Sequence, residues 1–298
     1  MSERASEPVK LVYVMGAGHS GSTILGITLG NCDGFFYAGE LEEWLLTSER
    51  PRWGARERQD FWSAVKERVS GAEEIFGGEA NRCIERSSAS FRFDRWLARR
   101  RLRPAYRRVA AQLARAVADV AQARYVIDSS HFPLRARELR ELPAIELYLI
   151  FLVRDPRDVV ASNTRELSPH ELAETRWRRL TMNANLWLTQ LLALRTFASH
   201  RADRRIFVRH EDFLEDPAGV TRQILAMLGS HAALPDLQAL SVGAPLQGNP
   251  LIRSDTVAVR RAARTPARKD LFTAIAQSIW RPLLARLRPA ASVARGVG

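Results

Sequence analysis

The glycine-rich stretch "GAGHSGST", residues 16–23, has the clearest chemical meaning in the chain. It follows the apolar run "LVYVM" and opens the apolar segment "ILGITLG". A strand, a glycine loop and a helix start in this order present backbone N–H groups at the positive end of a helix dipole, which binds phosphate. The stretch therefore predicts an anion site, and a tight glycine turn without a ligand is the alternative.

The loop differs in one residue from the pattern G-x-x-x-x-G-K-[ST], which holds nucleoside triphosphates. Gly16 and Gly21 have the expected spacing, but Ser22 stands where that pattern has lysine. The lysine of such a loop reaches the β- and γ-phosphates. Thr23 keeps a hydroxyl for a phosphate, and His19 lies inside the loop. The loop thus suits a nucleotide with a short 5′ chain.

The stretch "FLVRDPRDVVAS" predicts a second anion site. Arg154 ends a buried apolar run, and Ser162 lies eight residues later on the helix that follows. The planar fork of an arginine grips phosphate, and a hydroxyl about two turns down the helix can approach the same group. Two separated phosphate sites on one sheet indicate a nucleotide that is phosphorylated at two places.

Apolar runs alternate with helical patterns, which predicts an α/β fold with a central parallel sheet flanked by helices. Polar clusters follow the carboxyl ends of the predicted strands, where such sheets place their sites. The predicted strands are 10–15, 124–130, 146–158 and 206–213, and residues 34–40 are predicted to form a short aromatic strand or turn. The predicted helices are 22–30, 105–122, 133–141, 157–165, 170–200 and 217–228.

We expect one P-loop-like domain over residues 1–298. Residues 50–103 are polar and rich in tryptophan and arginine, which indicates a helical insertion or lid rather than core. Residues 241–270 have the composition of a loop, and residues 289–298 that of a flexible tail.

Length and charge narrow the class of protein. The 298 residues are 46% hydrophobic, which suffices for a sizeable core, and the formal net charge is +12, mostly from arginine. This charge indicates an anionic partner or substrate, or only an arginine-rich genome. Because the arginines are spread along the chain, we expect no nucleic acid as a partner.

Cysteine content and hydropathy favour a cytoplasmic protein. Cys32 and Cys83 form neither a metal cluster nor a disulfide framework. The N-terminal stretch "MSERASEPVK" does not have the pattern of a signal peptide, and the run "LYLIFLV" is too short to span a bilayer. The basic balance leaves contact with a membrane surface open, and no pattern indicates an oligomeric state.

The motifs resemble those of sulfotransferases that use 3′-phosphoadenosine 5′-phosphosulfate (PAPS), in particular their bacterial and Golgi-type branches. In this family a loop of the form [RK]-S-G-[ST]-T holds the 5′-phosphosulfate. Here the loop reads His19-Ser20-Gly21-Ser22-Thr23. We also expect the preceding Gly18 to bind the cofactor. The family's R-D-P-R-x-x-x-x-S element binds the 3′-phosphate and corresponds to residues 154–162. The resemblance covers roughly residues 9–255.

Two later segments extend the resemblance. "VRHEDFLEDPAGVTRQILAMLG", residues 208–229, is similar to the family's R-Y-E-D-L-x-x-D-P segment and the helix after it. "GNPLIR", residues 248–253, is similar to a C-terminal loop that approaches the cofactor, which makes Arg253 a candidate ligand. The resemblance implies PAPS as donor, the bisphosphate PAP as product, no metal, and a hydroxyl of a small-molecule, carbohydrate or glycolipid acceptor in secondary metabolism or glycoconjugate sulfation.

Two positions depart from the family. His19 stands where the loop usually has lysine or arginine, and His131, in "DSSH", stands where related bacterial chains often have lysine. Both changes leave open whether these positions supply positive charge at the leaving phosphate, or make that charge dependent on pH.

The resemblance also implies a catalytic base. Glu40, in "YAGELEEW", lies 21 residues past His19, where Golgi-type relatives have a catalytic glutamate in a G-E element. The alternative is a carboxylate at a helix start, which the helix dipole favours. His131 is the rival base, with a helix-capping role as its own alternative.

The remaining polar and aromatic residues are expected to be structural. Glu42 and Glu43 are predicted on a solvated helix face, and Trp177 and Trp187 in the core. The other histidines lie in predicted helices or loops, and these are His170, His200, His210 and His231.

Two other functions stay open at this point. A nucleotide or small-molecule kinase with a degenerate loop would need a metal-binding aspartate at a strand end, a role open to Asp128. A non-catalytic protein would bind PAPS without turnover. The tryptophans and arginines of residues 50–103 would suit a sugar, a glycolipid or a phenol as acceptor.

Overall fold

A parallel five-stranded sheet forms the centre of the protein. The computed structural model describes residues 7–45, 56–71, 79–86, 96–164, 175–246, 248–260 and 271–287. The strands are β1 (Val9–Gly16), β2 (Phe35–Gly39), β3 (Tyr125–His131), β4 (Ile145–Val153) and β5 (Arg205–Arg209), in the spatial order β2-β3-β1-β4-β5. The predicted α/β fold with a central parallel sheet is confirmed.

Strand β1 shows why the sequence forms a sheet with two covered faces. Its side chains alternate between two hydrophobic clusters: Leu11 and Tyr13 lie in one, Val12 and Val14 in the other, and all four are almost fully buried. Successive side chains of a strand point to opposite faces, so a strand covered on both faces reads as a continuous apolar run. The run "KLVYVM" is therefore the middle strand, paired with β3 and β4.

Ten α-helices are described around the sheet. They are α1 (Ser22–Gly30), α2 (Arg56–Lys66), α3 (Trp96–Ala121), α4 (Pro133–Arg140), α5 (Pro156–Thr164), α6 (Thr175–Ala198), α7 (His210–Glu215), α8 (Pro217–Met227), α9 (Leu271–Ala276) and α10 (Trp280–Ala285). Shorter elements are the 3₁₀ helices Leu41–Leu45, Ala202–Arg204 and Pro250–Arg253, the π-helix Asn81–Glu85, and the hairpin strands β6 (Leu240–Ser241) and β7 (Thr256–Val257).

Two strands are shorter than predicted. Strand β4 ends at Val153, because Pro156 begins α5 and proline favours the first turn of a helix. Strand β5 ends at Arg209, and α7 begins at His210 with acidic residues in its first turn. The predicted strands 146–158 and 206–213 thus each contain the start of the next helix.

The described part of the insertion belongs to the core, so the expectation of a lid rather than core is wrong there. Trp62 on α2 is 2% exposed, and its Nε1 donates to the Ala244 carbonyl at 2.9 Å. Arg58 donates to the carbonyls of Ile252 and Gly243, each at 3.0 Å. Helix α2 is therefore bound to the chain segment after β6. Residues 46–55, 72–78 and 87–95 of this region lie outside the described residues.

The predicted burial of two tryptophans is also wrong. Trp177 is 78% exposed and Trp187 is 39% exposed, both on α6. The Trp187 ring lies 5.0 Å from the ring of Trp280 on α10, centroid to centroid. The core face of α6 is formed by neighbouring residues such as Leu186 and Ala193. The predicted tail, residues 289–298, and His170 lie outside the described residues.

A buried ionic network supports the carboxyl end of β3. Arg135 on α4 binds both Asp128, at 3.0 and 2.8 Å from its Nε and Nη2, and Glu85 of the π-helix. Tyr106 donates to Glu85 at 2.7 Å. Asp128 also accepts from the backbone N–H of Ser130 at 2.9 Å. Each carboxylate is thus paired and hydrogen-bonded, as buried charges require.

Candidate active site

The loop between β1 and α1 has the backbone of an anion cradle. His19 and Gly21 both have left-handed φ angles, 62° and 90°, and such residues form concave nests of N–H groups. Gly21 is the N-cap of α1 and provides no side-chain cap, so the first-turn N–H groups have no side-chain partner from that residue. Ser20 is 1% exposed, and its Oγ has no hydrogen-bond partner among the described residues.

His210 packs directly against this loop. A Cβ atom added at Gly21 would overlap the His210 ring, so only glycine fits there. Burial, followed by the charge of Arg154, lowers the pKa of His210 to about 4, so its ring is neutral near pH 7. Its Nδ1 is buried and has no partner within the described chain. His210 was expected to be structural, yet it lines the cleft described below.

The two predicted anion sites are in contact. Arg154, just beyond β4, donates from Nη1 to the carbonyl of His19 at 3.0 Å. Ser162 on α5 lies 3.3 Å from His19, Oγ to Nδ1. The Arg154 Nε is buried and has no partner among the described residues. In contrast, Arg157 of the same motif pairs with Asp155 at 2.7 Å and contacts neither His19 nor Ser162 among the described hydrogen bonds.

These groups line one cleft of about 650 Å³. The sequence-predicted residues that it brings together are Gly18, His19, Gly21, Ser22, Thr23, Glu40, His131, Arg154 and Ser162. Ser20 is buried beneath the loop rather than lining the cleft. The cleft therefore contains an N–H cradle, a guanidinium and a carboxylate within one volume.

Residues 248–251 form a further wall of the cleft. The Asn249 N–H donates to Thr23 Oγ1 at 3.4 Å, and this contact holds the segment over the start of α1. Arg253, the predicted ligand from this segment, is exposed and is not one of the residues that line the cleft. Its role as a ligand stays a prediction.

Glu40 lies between β2 and the 3₁₀ helix Leu41–Leu45. Burial, followed by the negative charges of Glu42, Glu43 and Asp128, raises the pKa of Glu40 to about 8, while the charge of Arg86 opposes this rise. A carboxylate with a raised pKa is a stronger proton acceptor once it is ionised. Its position in the cleft and its pKa are those expected of a general base.

Glu42 and Glu43 are not on a solvated face, which corrects the prediction. Glu42 is 1% exposed and is bound by Arg86, with Nη2 to Oε1 at 2.9 Å, and by Asn81. Glu43 pairs with the same guanidinium at 2.8 Å. Both partners come from the insertion, whose contact with these glutamates the sequence spacing does not indicate.

Three carboxylates meet in this region, although the sequence suggested no ligand cluster. Glu40, Glu42 and Glu43 have oxygen atoms within 4.8 Å of one another. Arg86 binds two of the three, so a guanidinium already neutralises part of their charge.

His131 ends β3 in a left-handed conformation, with φ of 55°. Burial lowers its pKa, which favours the neutral ring. The ring packs on Phe132, with centroids 4.2 Å apart. A neutral histidine can accept a proton but supplies no positive charge, so His131 does not replace the charge of a lysine at this position.

A second pocket of about 220 Å³ adjoins the cleft and shares Gly18, His19, His131 and Phe132 with it. The rest of its wall comes from α5 and α6 and is mainly apolar: Val159, Val160, Met182, Asn185, Leu186 and Thr189. Asn185 Oδ1 is buried and has no partner among the described residues. The pocket thus offers an apolar surface and one hydrogen-bond acceptor beside the cleft.

Comparison with known proteins agrees with this geometry. A model of the sulfotransferase family matches residues 12–233 of the 298. The chain belongs to the sulfotransferase family. A search of curated proteins found no match.

Two solved structures share the fold of this sulfotransferase. The sulfotransferase domain from the Synechococcus PCC 7002 olefin synthase is 19% identical, with a TM-score of 0.54, over 92% of this chain and 95% of that one. The sulfotransferase domain from the curacin biosynthetic pathway is 16% identical, with a TM-score of 0.52, over 92% and 98%. In the described part of this sulfotransferase, no helix is both long and apolar enough to cross a membrane.

Among the residues that line the sulfotransferase cleft, sequence reasoning missed His210 and Arg86. His210 directly follows β5, and the rule that places sites at the carboxyl ends of strands would have selected it. Arg86 lies in an arginine-rich segment where nothing in the spacing distinguishes it from its neighbours. The first was therefore predictable and the second was not.

Substitution of Gly21 by alanine tests the contact between the loop and His210. The new Cβ would overlap the His210 ring and force a left-handed φ on alanine, so we expect Gly21→Ala to lower the free energy of unfolding by about 2–4 kcal/mol. Gly229→Ala is the matched control, since Gly229 has φ of 63° with nothing near its Cβ position, and we expect about 1 kcal/mol. Urea denaturation measures both, and equal losses would contradict the packing.

Proposed function

We propose that the chain transfers the sulfuryl group of PAPS to a hydroxyl of a small-molecule acceptor. One observation carries the proposal: Arg154 Nη1 donates to the His19 carbonyl at 3.0 Å, and both residues line one cleft. One adenosine with a 5′ and a 3′ phosphate would satisfy both sites, whereas a triphosphate would satisfy only the loop.

The residues of the cleft fit a nucleotide of this kind. Arg154 Nε and His210 Nδ1 are buried polar atoms without a partner among the described residues. A buried polar atom without a partner is costly, and a ligand is one way to satisfy it. Both residues line the cleft, where the two phosphates would bind.

When bound, PAPS supplies the sulfuryl group and leaves as PAP. The loop N–H groups and the Thr23 hydroxyl would hold the 5′ end by hydrogen bonds at the helix start. Arg154 and Ser162 would hold the 3′-phosphate, with the guanidinium oriented by the His19 carbonyl. Donors that are already in place stabilise developing negative charge without reorganisation, which is the main electrostatic contribution to catalysis.

Glu40 is the proposed base, and it would accept the proton that the acceptor hydroxyl loses. Its carboxylate lines the same cleft as the loop, and its raised pKa makes it a good acceptor. His131 is the second group that could accept the proton, since burial keeps it neutral. We assign the base to Glu40 because burial, followed by the neighbouring carboxylates, raises its pKa to about 8.

The small pocket beside the cleft supports a class of acceptor. Val159, Val160 and Leu186 line it and are buried, which favours the apolar body of a phenol or an alcohol over a sugar. Asn185 Oδ1 could accept one hydrogen bond from such a molecule. We therefore narrow the acceptor to a phenolic or aliphatic alcohol.

The kinase alternative has less support. Asp128, its candidate metal ligand, is fully buried and bound through one oxygen by two nitrogens of Arg135. Ser22 stands at the lysine position of a triphosphate loop. A kinase would need a metal-binding aspartate and a loop lysine to hold the γ-phosphate.

Nucleotide binding tests the donor. We expect PAP to raise the melting temperature more than 5′-AMP or ATP at equal concentration, because only PAP reaches both phosphate sites. Arg154→Ala should abolish this preference, and Arg157→Ala should keep it, because Arg157 pairs with Asp155. Stabilisation by ATP equal to that by PAP would refute PAPS as donor.

Substitution of Glu40 tests the base. We expect Glu40→Gln to lower turnover by about 10²- to 10⁴-fold while the thermal shift with PAP stays unchanged. In the unaltered protein the rate should rise with pH and level off above about pH 8, because a base must be ionised and the Glu40 pKa is raised to about 8. Glu43→Gln is the control: it should retain turnover and move the rise to lower pH, since it removes a negative charge. Normal turnover in Glu40→Gln would mean that Glu40 is not the base and that His131 accepts the proton instead.

Acceptor choice tests the small pocket. With labelled PAPS, we expect 2-naphthol to be sulfated with a higher kcat/KM than N-acetylglucosamine. Leu186→Trp fills the pocket and should lower kcat/KM for 2-naphthol about tenfold or more. The control Leu191→Trp lies on the exposed face of the same helix and should have no effect. A preference for the sugar would exclude the apolar acceptor while leaving the donor assignment intact.

A further inference from the structure

A third cavity, of about 410 Å³, lies beside the carboxyl ends of β4 and β5 under helices α9 and α10. Of its lining residues, the reaction proposed above uses only Arg154. Part of its wall is apolar and comes from Val153, Phe207, Ala274, Leu284 and Ala285. We call it the C-terminal cavity.

Three side chains in its wall have polar atoms that nothing in the described chain satisfies. Gln190, Gln277 and Trp280 are each 3–4% exposed. No hydrogen-bond partner among the described residues reaches three of their atoms: Gln190 Oε1, Gln277 Oε1 and Trp280 Nε1. Two acceptors and one donor, all buried in one wall, match a group that both donates and accepts, such as a hydroxyl.

The charged residues of the wall favour an anion. Arg154, Arg157, Arg209 and Arg281 line the cavity, against the two acids Asp155 and Glu211. Arg157 pairs with Asp155 at 2.7 Å, and Arg209 lies 3.4 Å from Glu211. The charge of Arg281 interacts with Asp155, and the Arg154 Nε has no partner among the described residues. The wall thus carries two more positive than negative charges beside its apolar part.

We propose that the C-terminal cavity is a second ligand site, which binds a hydroxy carboxylic acid with an apolar body. The carboxylate binds Arg281 and Arg154. The hydroxyl accepts from the Trp280 N–H and donates to a glutamine oxygen. The apolar body packs on Phe207 and Leu284.

Arg154 links this site to the active site, because it lines both the C-terminal cavity and the glycine-loop cleft. Two anions that share one guanidinium compete for it and repel each other. Occupation of the C-terminal cavity therefore weakens nucleotide binding, and the nucleotide weakens the acid by the same factor.

Calorimetry on the full chain tests the site, with 3-hydroxydecanoate as the probe. We expect it to bind more tightly than decanoate, which lacks the hydroxyl, and than 1,3-decanediol, which lacks the charge. Arg281→Gln should weaken binding about tenfold, whereas Arg286→Gln, an exposed arginine outside the cavity, should not. Ala274→Phe should block the cavity, and Ile275→Phe on the exposed face of α9 is its control.

Saturation of the protein with PAP tests the coupling, through Arg154, between the C-terminal cavity and the glycine-loop cleft. We expect it to raise the Kd of 3-hydroxydecanoate at least about fivefold, with the reciprocal effect on the Kd of PAP. The thermal shift with PAP shows that each variant is folded. Binding that survives both Ala274→Phe and Arg281→Gln, or no binding at all, overturns the site. An unchanged Kd in the presence of PAP overturns the link through Arg154.

Discussion

The buried pair of Arg135 and Asp128 is the interaction on which the active site depends. Asp128 ends the regular part of β3 and accepts hydrogen bonds from Arg135 and from the Ser130 N–H. It also accepts from the Leu41 N–H at 3.4 Å, so the same carboxylate fixes the residue after Glu40. Because an unpaired buried carboxylate is very costly, this arrangement has little freedom to relax. The proposed base, Glu40, is therefore positioned by an ion pair that has no part in the proposed reaction.

The network also explains how the insertion contributes to the site. Arg135 binds Glu85, and Asn81 donates to both Glu85 and Glu42. The π-helix that carries Asn81 and Glu85 is thus joined to the turn that follows Glu40. Arg86 then neutralises Glu42 and lowers the pKa of Glu40, against the effect of burial. The acidity of Glu40 therefore depends on two parts of the chain that are far apart in sequence.

The sequence predicted those features that depend on local patterns. The strand, loop and helix around the glycine stretch occur where expected, because apolar runs and glycine positions are local signals. The sequence identified Arg154 and Ser162 because they belong to the pattern R-D-P-R-x-x-x-x-S, which follows a predicted strand. The pairing of Glu42 with Arg86 was not predictable, since it joins residues 44 positions apart and depends on how the insertion folds. The exposure of Trp177 was missed because an aromatic residue on a helix is usually buried.

Helix α2 binds a segment that leads to the glycine-loop cleft. Its Arg58 donates to the carbonyls of Gly243 and Ile252, and its Trp62 donates to that of Ala244. Between these anchors, Asn249 touches Thr23 at the start of α1. Helix α2 and this wall of the cleft are therefore held together by hydrogen bonds. A chimera that exchanges residues 56–66 with those of a relative must exchange residues 243–252 with them, or the wall of the cleft loses its anchors.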